Sequence, residues 1–411
     1  MRLLDITPRN CFPLDRGSVV RTASLLRELA SRHDVRQLSQ AVDGPLPLRA
    51  RVERHEPFGA YVELRERRLA SLVGAQLCAR SWARSNVLAG VTQRLARRSE
   101  LAPLLRWADI VLVEFPWQFE ACRRAAPPGT PLVLAGHNVE SEKFRSWADA
   151  HGIPRHRRAG WLAYIKRAER AAIAHADLVI AVSEPDRQTF VERFGVDPER
   201  VVLAPNGADT TRIRPTDPAA RVAARRTLGL PERPTVLFQA ADMPANAAAL
   251  GWVRRLATLD RSRTFLVVGK VARPERSGNL VATGPVPDMQ PFLAAADAAL
   301  CPVAHGGGTK IKLLESMAAG LPLVAFPEAL SGTEARDGEH VLCAEHDERS
   351  LLRCLDALFN DGGTGERLAA NARRLVEERY DWAQIARELE PALVAINPRA
   401  AAGSRREYAA A

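Results

Sequence analysis

Residues 298–325 read AALCPVAHGGGTKIKLLESMAAGLPLVA and contain the strands, loop and helix that decide the fold. The apolar run at 298–303 predicts a buried strand, and the run at 311–319 predicts a helix that ends at Gly320 and Pro322. Three glycines and two lysines connect the strand to the helix. Such a loop offers unpaired N–H groups and the positive end of a helix dipole to an anion. The stretch therefore predicts a unit that binds a diphosphate.

A second phrase, Ala-Asp followed by an apolar run, occurs three times along the chain. It stands at residues 108–109 before IVLVEF, at 176–177 before LVIAVS and at 296–297 before AALCPV. Each copy predicts a short turn and then a strand that is apolar on both faces, as in parallel sheets covered by helices. Further apolar runs predict strands at residues 2–6, 131–134, 201–204, 235–239, 264–268 and 321–325. The chain is therefore expected to have an α/β fold.

Length and composition predict two domains. The chain has 411 residues, of which 46% are apolar. It is too long for one ordinary core and is expected to divide into two domains of about 200 residues each. Segment 206–234 contains several prolines and a basic helical pattern between two groups of predicted strands, so we place the boundary there. The residues after Asn397 have no apolar periodicity and are expected to be disordered.

The net charge is +10, and the basic residues are concentrated before residue 230. Two interpretations stay open. The first domain contacts an anionic membrane or an acidic substrate, or the charges form a solvated surface with helical ion pairs. Nucleic-acid binding is not supported, because no recognised binding motif and no aromatic platform accompany the charge.

Several motif classes are missing from the sequence. The six cysteines include no CxxC pair, which disfavours a disulfide framework or zinc site and indicates a cytoplasmic setting. No apolar run reaches the roughly 18 residues of a membrane span. The loop after the first strand lacks GxGxxG, and GGGTK lacks the Walker spacing. A nicotinamide-dependent dehydrogenase and a P-loop NTPase are therefore disfavoured.

A set of motifs, taken in their order, resembles the retaining glycosyltransferases of family 4. The motifs are a glycine loop at residues 13–21, HNVE at 137–140, PNGAD at 205–209, PAN at 244–246 and GGGTKIK at 306–312. The resemblance covers most of the chain and is to the subtype with the GGGTKIK loop and the HNVE motif. It implies the GT-B fold, in which two Rossmann-like, doubly wound parallel-sheet domains face each other across a cleft. Ligands are then expected at the carboxyl ends of the strands.

The same resemblance implies a division of the chain. Residues 1–206 would form an N-terminal, acceptor-side Rossmann-like domain, and residues 207–382 a C-terminal domain that binds the nucleotide sugar. Residues 383–396 would form a helix that crosses back to the N-terminal domain, followed by a disordered tail at 397–411.

Roles for individual residues also follow from the resemblance. Glu315 matches a glutamate that accepts hydrogen bonds from the ribose of the donor. Lys310 is favoured over Lys312 as the phosphate contact, since positions two apart on a helix point about 200° apart. His137 either contacts a sugar or caps the end of its strand. We expect His137, Lys310 and Glu315 to be catalytic, and donor binding to involve Gly17, Ser18, Asn206, Gly207, Lys270, His305, Gly306, Gly307, Gly308, Thr309 and Lys312.

The sequence departs from the family pattern at one position. The first of the family's two glutamates, eight residues before Glu315, falls at Gly307. Backbone N–H groups would then bind the sugar and the diphosphate, and the identity of the sugar is not indicated. No DxD pair is present near the expected site, so we expect no metal and no cofactor, with N–H groups, the helix dipole and lysine neutralising the diphosphate.

The predicted function is transfer of a sugar from a nucleotide-sugar donor to a hydroxyl of a glycan or lipid-linked acceptor. The resemblance implies retention of anomeric configuration and a place in bacterial polysaccharide or glycolipid synthesis. We expect a cytoplasmic enzyme. Whether it also makes peripheral contact with the inner face of the membrane stays open. The alternatives are a nucleotide-sugar epimerase of the same architecture and a non-catalytic nucleotide-sugar-binding protein. Acceptor-dependent release of nucleoside diphosphate distinguishes transfer from both.

Overall fold

The computed structural model describes residues 1–7, 17–39, 49–54, 60–66, 98–150, 152–305, 308–361 and 363–397. Gly306, Gly307 and the expected tail beyond Asn397 lie outside the described residues. The chain forms two compact units. Unit 1 comprises Met1–Ala204 and Ala386–Ala411, and unit 2 comprises Pro205–Ile385.

Unit 1 is built on an eight-stranded sheet in the order β3-β4-β2-β1-β5-β6-β7-β8. Its neighbouring strands are parallel except for the pair β3 and β4, which is antiparallel. The order reverses between β1 and β5, which makes this pair the point where a doubly wound sheet accommodates ligands. The strands are β1 (Arg2–Thr7), β2 (Asp34–Ser39), β3 (Arg49–Arg54), β4 (Ala60–Glu66), β5 (Ile110–Val113), β6 (Leu132–Ala135), β7 (Leu178–Ala181) and β8 (Val201–Leu203).

Helices connect the parallel strands of unit 1, because a parallel pair needs a long crossover connection. In the described part of this unit they are α1 (Gly17–Ala30), α2 (Arg98–Trp107), α3 (Pro116–Ala125), α4 (Glu140–Ala150), α5 (Arg155–His175) and α6 (Glu184–Phe194). Ser183 caps α6 by accepting a hydrogen bond from the Asp186 amide, and Gly195 ends the helix in the left-handed conformation.

Unit 2 repeats the plan with a seven-stranded sheet in the order β11-β12-β10-β9-β13-β14-β15. Its strands are β9 (Thr235–Gln239), β10 (Thr264–Val268), β11 (Glu275–Ser277), β12 (Leu280–Ala282), β13 (Ala298–Cys301), β14 (Leu323–Ala325) and β15 (Leu342–Cys343). Only the short pair β11 and β12 is antiparallel. The order reverses between β9 and β13, so the expected α/β fold with two doubly wound sheets is confirmed.

The helices of unit 2 are numbered on from unit 1. They are α7 (Pro218–Thr227), α8 (Pro244–Leu259), α9 (Gln290–Ala295), α10 (Ile311–Ala318), α11 (Glu348–Asn360), α12 (Thr364–Leu375) and α13 (Trp382–Ala395), which runs on beyond Ile385 into the segment assigned to unit 1. The predicted strand at 298–303 ends two residues early, since Pro302 has no N–H with which to continue a ladder. No helix in the described ranges is both long and apolar enough to span a bilayer.

The repeated Ala-Asp phrase has the same structural role in all three copies. The carboxylate of each aspartate accepts a hydrogen bond from the first amide of the neighbouring strand. The pairs are Asp109 with Arg2 at 2.8 Å, Asp177 with Leu132 at 2.8 Å and Asp297 with Thr235 at 2.7 Å. Each aspartate amide donates in return to the carbonyl of the same strand residue. The phrase thus fixes the register with which β5, β7 and β13 join their neighbours.

Both sheets are apolar on both faces, as their continuous hydrophobic runs predict. All four residues of β5, β6, β7 and β13 are buried. Burial of one such aliphatic side chain contributes about 1.5–3 kcal/mol, so these strands stabilise the core at whose edge the polar strand ends lie.

Candidate functional site

Polar side chains gather at the two places where strand order reverses. In unit 2, Gln239 is the last residue of β9, and Glu315 lies on α10, which follows β13. In unit 1, Glu114 directly follows β5 and His137 comes two residues after β6. Parallel strands bring their carboxyl ends to one edge of the sheet, which is why residues distant in sequence meet there. Each of the two groups is described within its own unit.

The glycine loop of unit 2 is held by Asn206. Its backbone amide donates to the Thr309 hydroxyl at 3.2 Å, and its side-chain amide donates to the Thr309 carbonyl at 2.9 Å. Gly308 has φ 67°, in the left-handed region that glycine adopts without strain. Asn206, Gly308 and Thr309, all predicted as donor-binding residues, thus lie together at the start of α10.

The two lysines of the loop contact different parts of unit 2. The Lys310 ammonium donates to the Gly308 carbonyl at 2.8 Å and stays beside the glycine loop. The Lys312 ammonium donates to the side-chain oxygen of Asn246 in the first turn of α8, and it lies 5.3 Å from the Phe238 ring centroid. Burial lowers the pKa of Lys312. Asn246 is itself oriented by donating to the Ala241 carbonyl at 2.8 Å, so its oxygen is left to accept from lysine.

Glu315 is fixed by Gln239. The Gln239 side-chain amide donates to Oε2 of Glu315 at 3.0 Å and to the Lys312 carbonyl at 3.1 Å. Burial raises the pKa of Glu315 to about 7, although the Gln239 hydrogen bond and the positive charge of Arg212 act in the opposite direction. Glu315 keeps part of its surface exposed. A carboxyl group with one oxygen anchored and a partly open surface can accept hydrogen bonds from a diol.

Three predicted donor-binding residues of unit 2 have other surroundings. Gly207 is buried, and a Cβ there would lie 2.6 Å from the Tyr380 carbonyl oxygen and 2.8 Å from Cδ1 of Ile385. The glycine is therefore required for packing within unit 2. Lys270 and His305 are exposed, Lys270 just after β10 and His305 at the entrance to the glycine loop.

In unit 1, His137 is buried in a polar and aromatic pocket. Its Nε2 is hydrogen bonded to Oε2 of Glu114, and the same oxygen accepts from the Thr22 hydroxyl at 3.0 Å. The imidazole stacks on Phe115 with ring centroids 4.7 Å apart and an interplanar angle of 19°. Phe115 in turn stacks on Trp117 with centroids 5.0 Å apart. The ring of His137 is thus held both in its plane and in its rotation.

Two further buried groups surround Glu114. Asp5 of β1 accepts from the Gln37 amide at 2.7 Å, and burial, together with the neighbouring Glu114, raises the pKa of Asp5 well above its ordinary value. Burial alone would raise the pKa of Glu114, but His137, Asp5 and Arg21 outweigh it and the pKa is lowered. Arg21 donates to the Ala204 carbonyl at 2.6 Å, and burial lowers its pKa to about 10.

The segment after His137 is held by acids from other helices. Glu169 of α5 accepts from the Glu140 amide at 2.7 Å, at the start of α4. Burial raises the pKa of Glu169 to about 7, and the like charge of Glu140 adds to the increase. Among the residues that the structure describes, no group of three or more His, Cys, Asp or Glu side chains could hold a metal ion.

The predicted glycine-loop residues of unit 1 lie at the start of α1. Gly17 is its first residue and is exposed, and the Ser18 carbonyl lies 3.0 Å from the Thr22 hydroxyl, where it shares the single hydroxyl hydrogen with Glu114. Thr22 therefore connects this helix turn to Glu114 through one side chain.

Sequence reasoning assigned no role to Gln239, Glu114 or Asp5. A signal for the first two was present, because each is a polar residue directly at the end of a continuous apolar strand. In parallel sheets ligands bind at the carboxyl ends of the strands, so functional residues are to be sought there. Asp5 gave a weaker signal, as a single acid within the apolar run of β1.

Family models match both units. Residues 16–212 match Glycosyltransferase Family 4, and residues 233–361 match Glycosyl transferases group 1. The chain is 29% identical to D-inositol 3-phosphate glycosyltransferase of Rhodococcus jostii, over 62% of this chain and 59% of that protein. It is 30% identical to the protein of the same name from Geodermatophilus obscurus, over 67% and 64% of the two chains. The chain thus spans about three fifths of the length of these curated relatives.

Solved structures share the fold at low identity. HepE of Anabaena, in complex with UDP and glucose, superposes with a TM-score of 0.66 at 16% identity, over 95% of this chain and 98% of HepE. WaaG, a glycosyltransferase involved in lipopolysaccharide biosynthesis, gives 0.65 at 18% identity, over 93% and 98%. The two family models together cover most of the chain, and the fold agrees with them. By sequence, residues 16–212 are therefore similar to Glycosyltransferase Family 4 and residues 233–361 to Glycosyl transferases group 1, and the chain shares its fold with solved glycosyltransferases.

Proposed function

We propose that the protein is a retaining glycosyltransferase that moves a sugar from a nucleotide-sugar donor to a hydroxyl group of a glycan or lipid-linked acceptor. The observation that carries the proposal is the arrangement of Glu315, Gln239 and the glycine loop at the strand-order reversal of unit 2. The Glu315 carboxylate on α10 is suited to a ribose diol, and the glycine loop that precedes α10 in the sequence is suited to a diphosphate.

Glu315 binds the ribose in this proposal. Gln239 anchors one carboxylate oxygen, so that the group is already oriented when the diol arrives. Similarity to HepE, which was solved with UDP-glucose, supports a nucleotide-sugar ligand. The nucleobase and the sugar of this protein's own donor are determined by the panel of donors described below.

The diphosphate lies against the glycine loop and the start of α10. Lys310 supplies the positive charge there, since its ammonium already lies on the Gly308 carbonyl. Lys312 holds Asn246 at the start of α8, and its backbone carbonyl helps to orient the Gln239 amide that anchors Glu315. The first N–H groups of a helix have no intrahelical partner and can accept an anion, so the leaving group is neutralised without a divalent ion in this proposal.

The acceptor hydroxyl attacks the same face of the sugar that the diphosphate leaves. A phosphate oxygen of the leaving group takes the hydroxyl proton. At the same time the new glycosidic bond forms, and the bond between the anomeric carbon and the diphosphate oxygen breaks. The protein supplies orientation and charge stabilisation. Within unit 1, His137 contacts a sugar hydroxyl in this proposal. In this proposal the reaction uses no metal and no cofactor.

A role in bacterial polysaccharide or glycolipid synthesis, in the cytoplasm at the inner face of the membrane, completes the proposal. It is supported by the exposed arginines on α5. The one acidic residue of this helix, Glu169, is buried. The exposed arginines are Arg155, Arg157, Arg167 and Arg170. Such a basic helix attracts anionic headgroups by about 1 kcal/mol per charge.

A donor panel tests the proposal. UDP-, GDP- and ADP-sugars are added to the purified protein and thermal stability is measured. One of them should stabilise the folded protein by about 2.7 kcal/mol at a concentration near 100 times its Kd. Glu315→Ala should weaken that donor by roughly 10- to 100-fold, because a charged hydrogen-bond acceptor contributes about 1.5–3 kcal/mol. Glu232→Ala, at an exposed glutamate paired only with Arg226, is the matched control and should bind as the parent does.

Turnover then separates the possible activities. Release of nucleoside diphosphate that depends on an added acceptor, tested with lipid-linked sugars, glycans and D-inositol 3-phosphate, supports transfer. The last is included because the relatives are named for it. Epimerised donor without acceptor, or binding without any reaction, would replace the proposal with an isomerase or a binding protein. If a folded parent protein is stabilised by no nucleotide sugar, the donor site itself is wrong.

A further inference from the structure

Glu114 is the only described side chain that is hydrogen bonded to the imidazole of His137. It reaches the ring from the end of β5, while His137 follows the neighbouring strand β6. Stacking on Phe115 fixes the plane of the ring, and the contact with Oε2 of Glu114 selects which nitrogen faces the carboxylate. Thr22 donates to the same oxygen from α1, so the carboxylate cannot rotate away without losing a second partner.

The protonation of the two neighbouring acids follows from their contact. Asp5 and Glu114 are neighbouring buried carboxyl groups, and each raises the cost of ionising the other. Oδ1 of Asp5 has no donor among the described residues, whereas Oδ2 accepts from Gln37. Burial raises the pKa of Asp5 and the surroundings of Glu114 lower its pKa, so Asp5 holds the proton and Glu114 is ionised.

The charged neighbours agree with this assignment. Arg21 on α1 lies close to Glu114 and favours its ionised form. Asp186 on α6 also acts on Arg21. An ionised Glu114 can only accept hydrogen bonds, which requires a hydrogen on Nε2 of His137.

We propose that Glu114 is a positioning residue that keeps His137 in the Nε2–H tautomer and so presents Nδ1 as a hydrogen-bond acceptor to a substrate hydroxyl. The hydrogen bond that the His137 ring makes within the described residues uses Nε2 and leaves Nδ1 to a ligand. The inference rests on the proposed function for the identity of the hydroxyl, but the tautomer itself is a property of the protein alone.

The tautomer is measured directly by histidine-selective ¹⁵N labelling and long-range ¹H–¹⁵N correlation. The chain has nine histidines, and the His137 signals are those lost in His137→Gln. In spectra recorded at about pH 8, the parent should show Nε2 protonated and Nδ1 unprotonated. Glu114→Gln replaces a group that can only accept with an amide that can also donate, so the Nε2–H form should lose its preference and Nδ1 protonation should appear. Glu120→Gln is the matched control, because Glu120 lies on α3 and pairs with Arg123 and Arg124.

Kinetics give the second measurement. Glu114→Gln should lower kcat/KM by roughly 10- to 100-fold, which is at or below the low end of the ~10²- to 10⁴-fold contribution of a group that itself transfers a proton. Stabilisation by the donor should persist, since Glu315 and the glycine loop are unchanged. Glu114→Asp keeps an acceptor and should keep the Nε2–H tautomer. This variant also tests the inference if Glu114→Gln does not fold.

Different outcomes overturn the two proposals. An unchanged tautomer in Glu114→Gln, or a parent protein with Nδ1 protonated, would remove the inference about Glu114 even if the enzyme transfers sugar. Absence of any nucleotide-sugar binding would remove the proposed function, while the ¹⁵N result would still decide the tautomer.

Discussion

Glu315 illustrates how one residue combines sequence and structural information. Its place in the GGGTKIKLLE block suggested a ribose-binding carboxylate, and the structure adds that Gln239 anchors it and that burial raises its pKa to about 7. The carboxyl group therefore changes charge in the physiological range. A diol donates hydrogen bonds, so it favours the ionised carboxylate.

Donor affinity should consequently depend on pH. Below about pH 7 the carboxyl group of Glu315 is increasingly protonated in the unliganded protein, and the donor Kd should rise, approaching tenfold per pH unit well below the pKa. Glu315→Gln should bind more weakly and lose this dependence. Isothermal titration between about pH 6 and pH 8.5 measures both. A parent Kd that is constant across that range would mean that Glu315 does not bind the donor as an anion.

The two lysines of the loop show what residue-level reasoning leaves open. Helical periodicity indicated that they point in different directions, but it did not say which element each would reach. The structure gives Lys310 the glycine loop and Lys312 the first turn of α8. Asn246 determines this choice, and it is 66 residues away in sequence.

At the level of elements, the Ala-Asp repeat and Gly207 are local sequence features with tertiary purposes. The aspartates connect the starts of neighbouring strands. The stretch after Gly207 pairs with the end of unit 2: the Ala208 amide donates to the Tyr380 carbonyl at 2.8 Å, and the Thr210 hydroxyl donates to the Asp381 carboxylate at 2.6 Å. Only glycine permits the close approach that these bonds require.

Gly207→Ala should therefore destabilise unit 2. The added Cβ would meet the Tyr380 carbonyl oxygen at 2.6 Å and Cδ2 of Trp382 at 3.0 Å, and backbone cannot move aside as a flexible side chain can. We expect a loss of about 1–3 kcal/mol in the free energy of unfolding, as for other overpacked sites. Denaturant or thermal unfolding measures it.

A glycine in α8 provides the control. A Cβ on Gly251 would make an ordinary contact of 3.5 Å with the Arg255 side chain, so Gly251→Ala should stabilise the helix by about 0.5–1 kcal/mol. If Gly207→Ala were equally benign, the segment around Tyr380 would have to be less closely packed than described.

For the molecule as a whole, stability should depend on pH through buried acids in both units. Burial raises the pKa of Glu169 to about 7 from an ordinary value of 4.5. The folded protein then holds a proton more tightly than the unfolded chain between these values. The contribution of this residue is favourable at low pH in that window and is lost as pH rises towards 7.

Glu169→Gln isolates this contribution. The parent should gain about 1 kcal/mol more stability than the variant when the pH is lowered from about 8 to about 6. Denaturant unfolding followed at both pH values gives the difference. Glu192→Gln, at an exposed position of α6, should behave as the parent does. Parallel pH dependence in parent and Glu169→Gln would show that Glu169 titrates normally.

The sequence by itself determined the fold class, because continuous apolar runs, turn residues and helical periodicity are local signals. It also placed Lys310, Lys312 and Glu315 in one loop and helix. The contacts between Gln239 and Glu315, 76 residues apart, and between Glu114 and His137, 23 residues apart, were decided only by the tertiary structure. The physical reason is that strand order sets which carboxyl ends become neighbours, whereas hydrophobic periodicity shows only that a strand is buried. The same order buries the acids together, and burial in turn sets their charge.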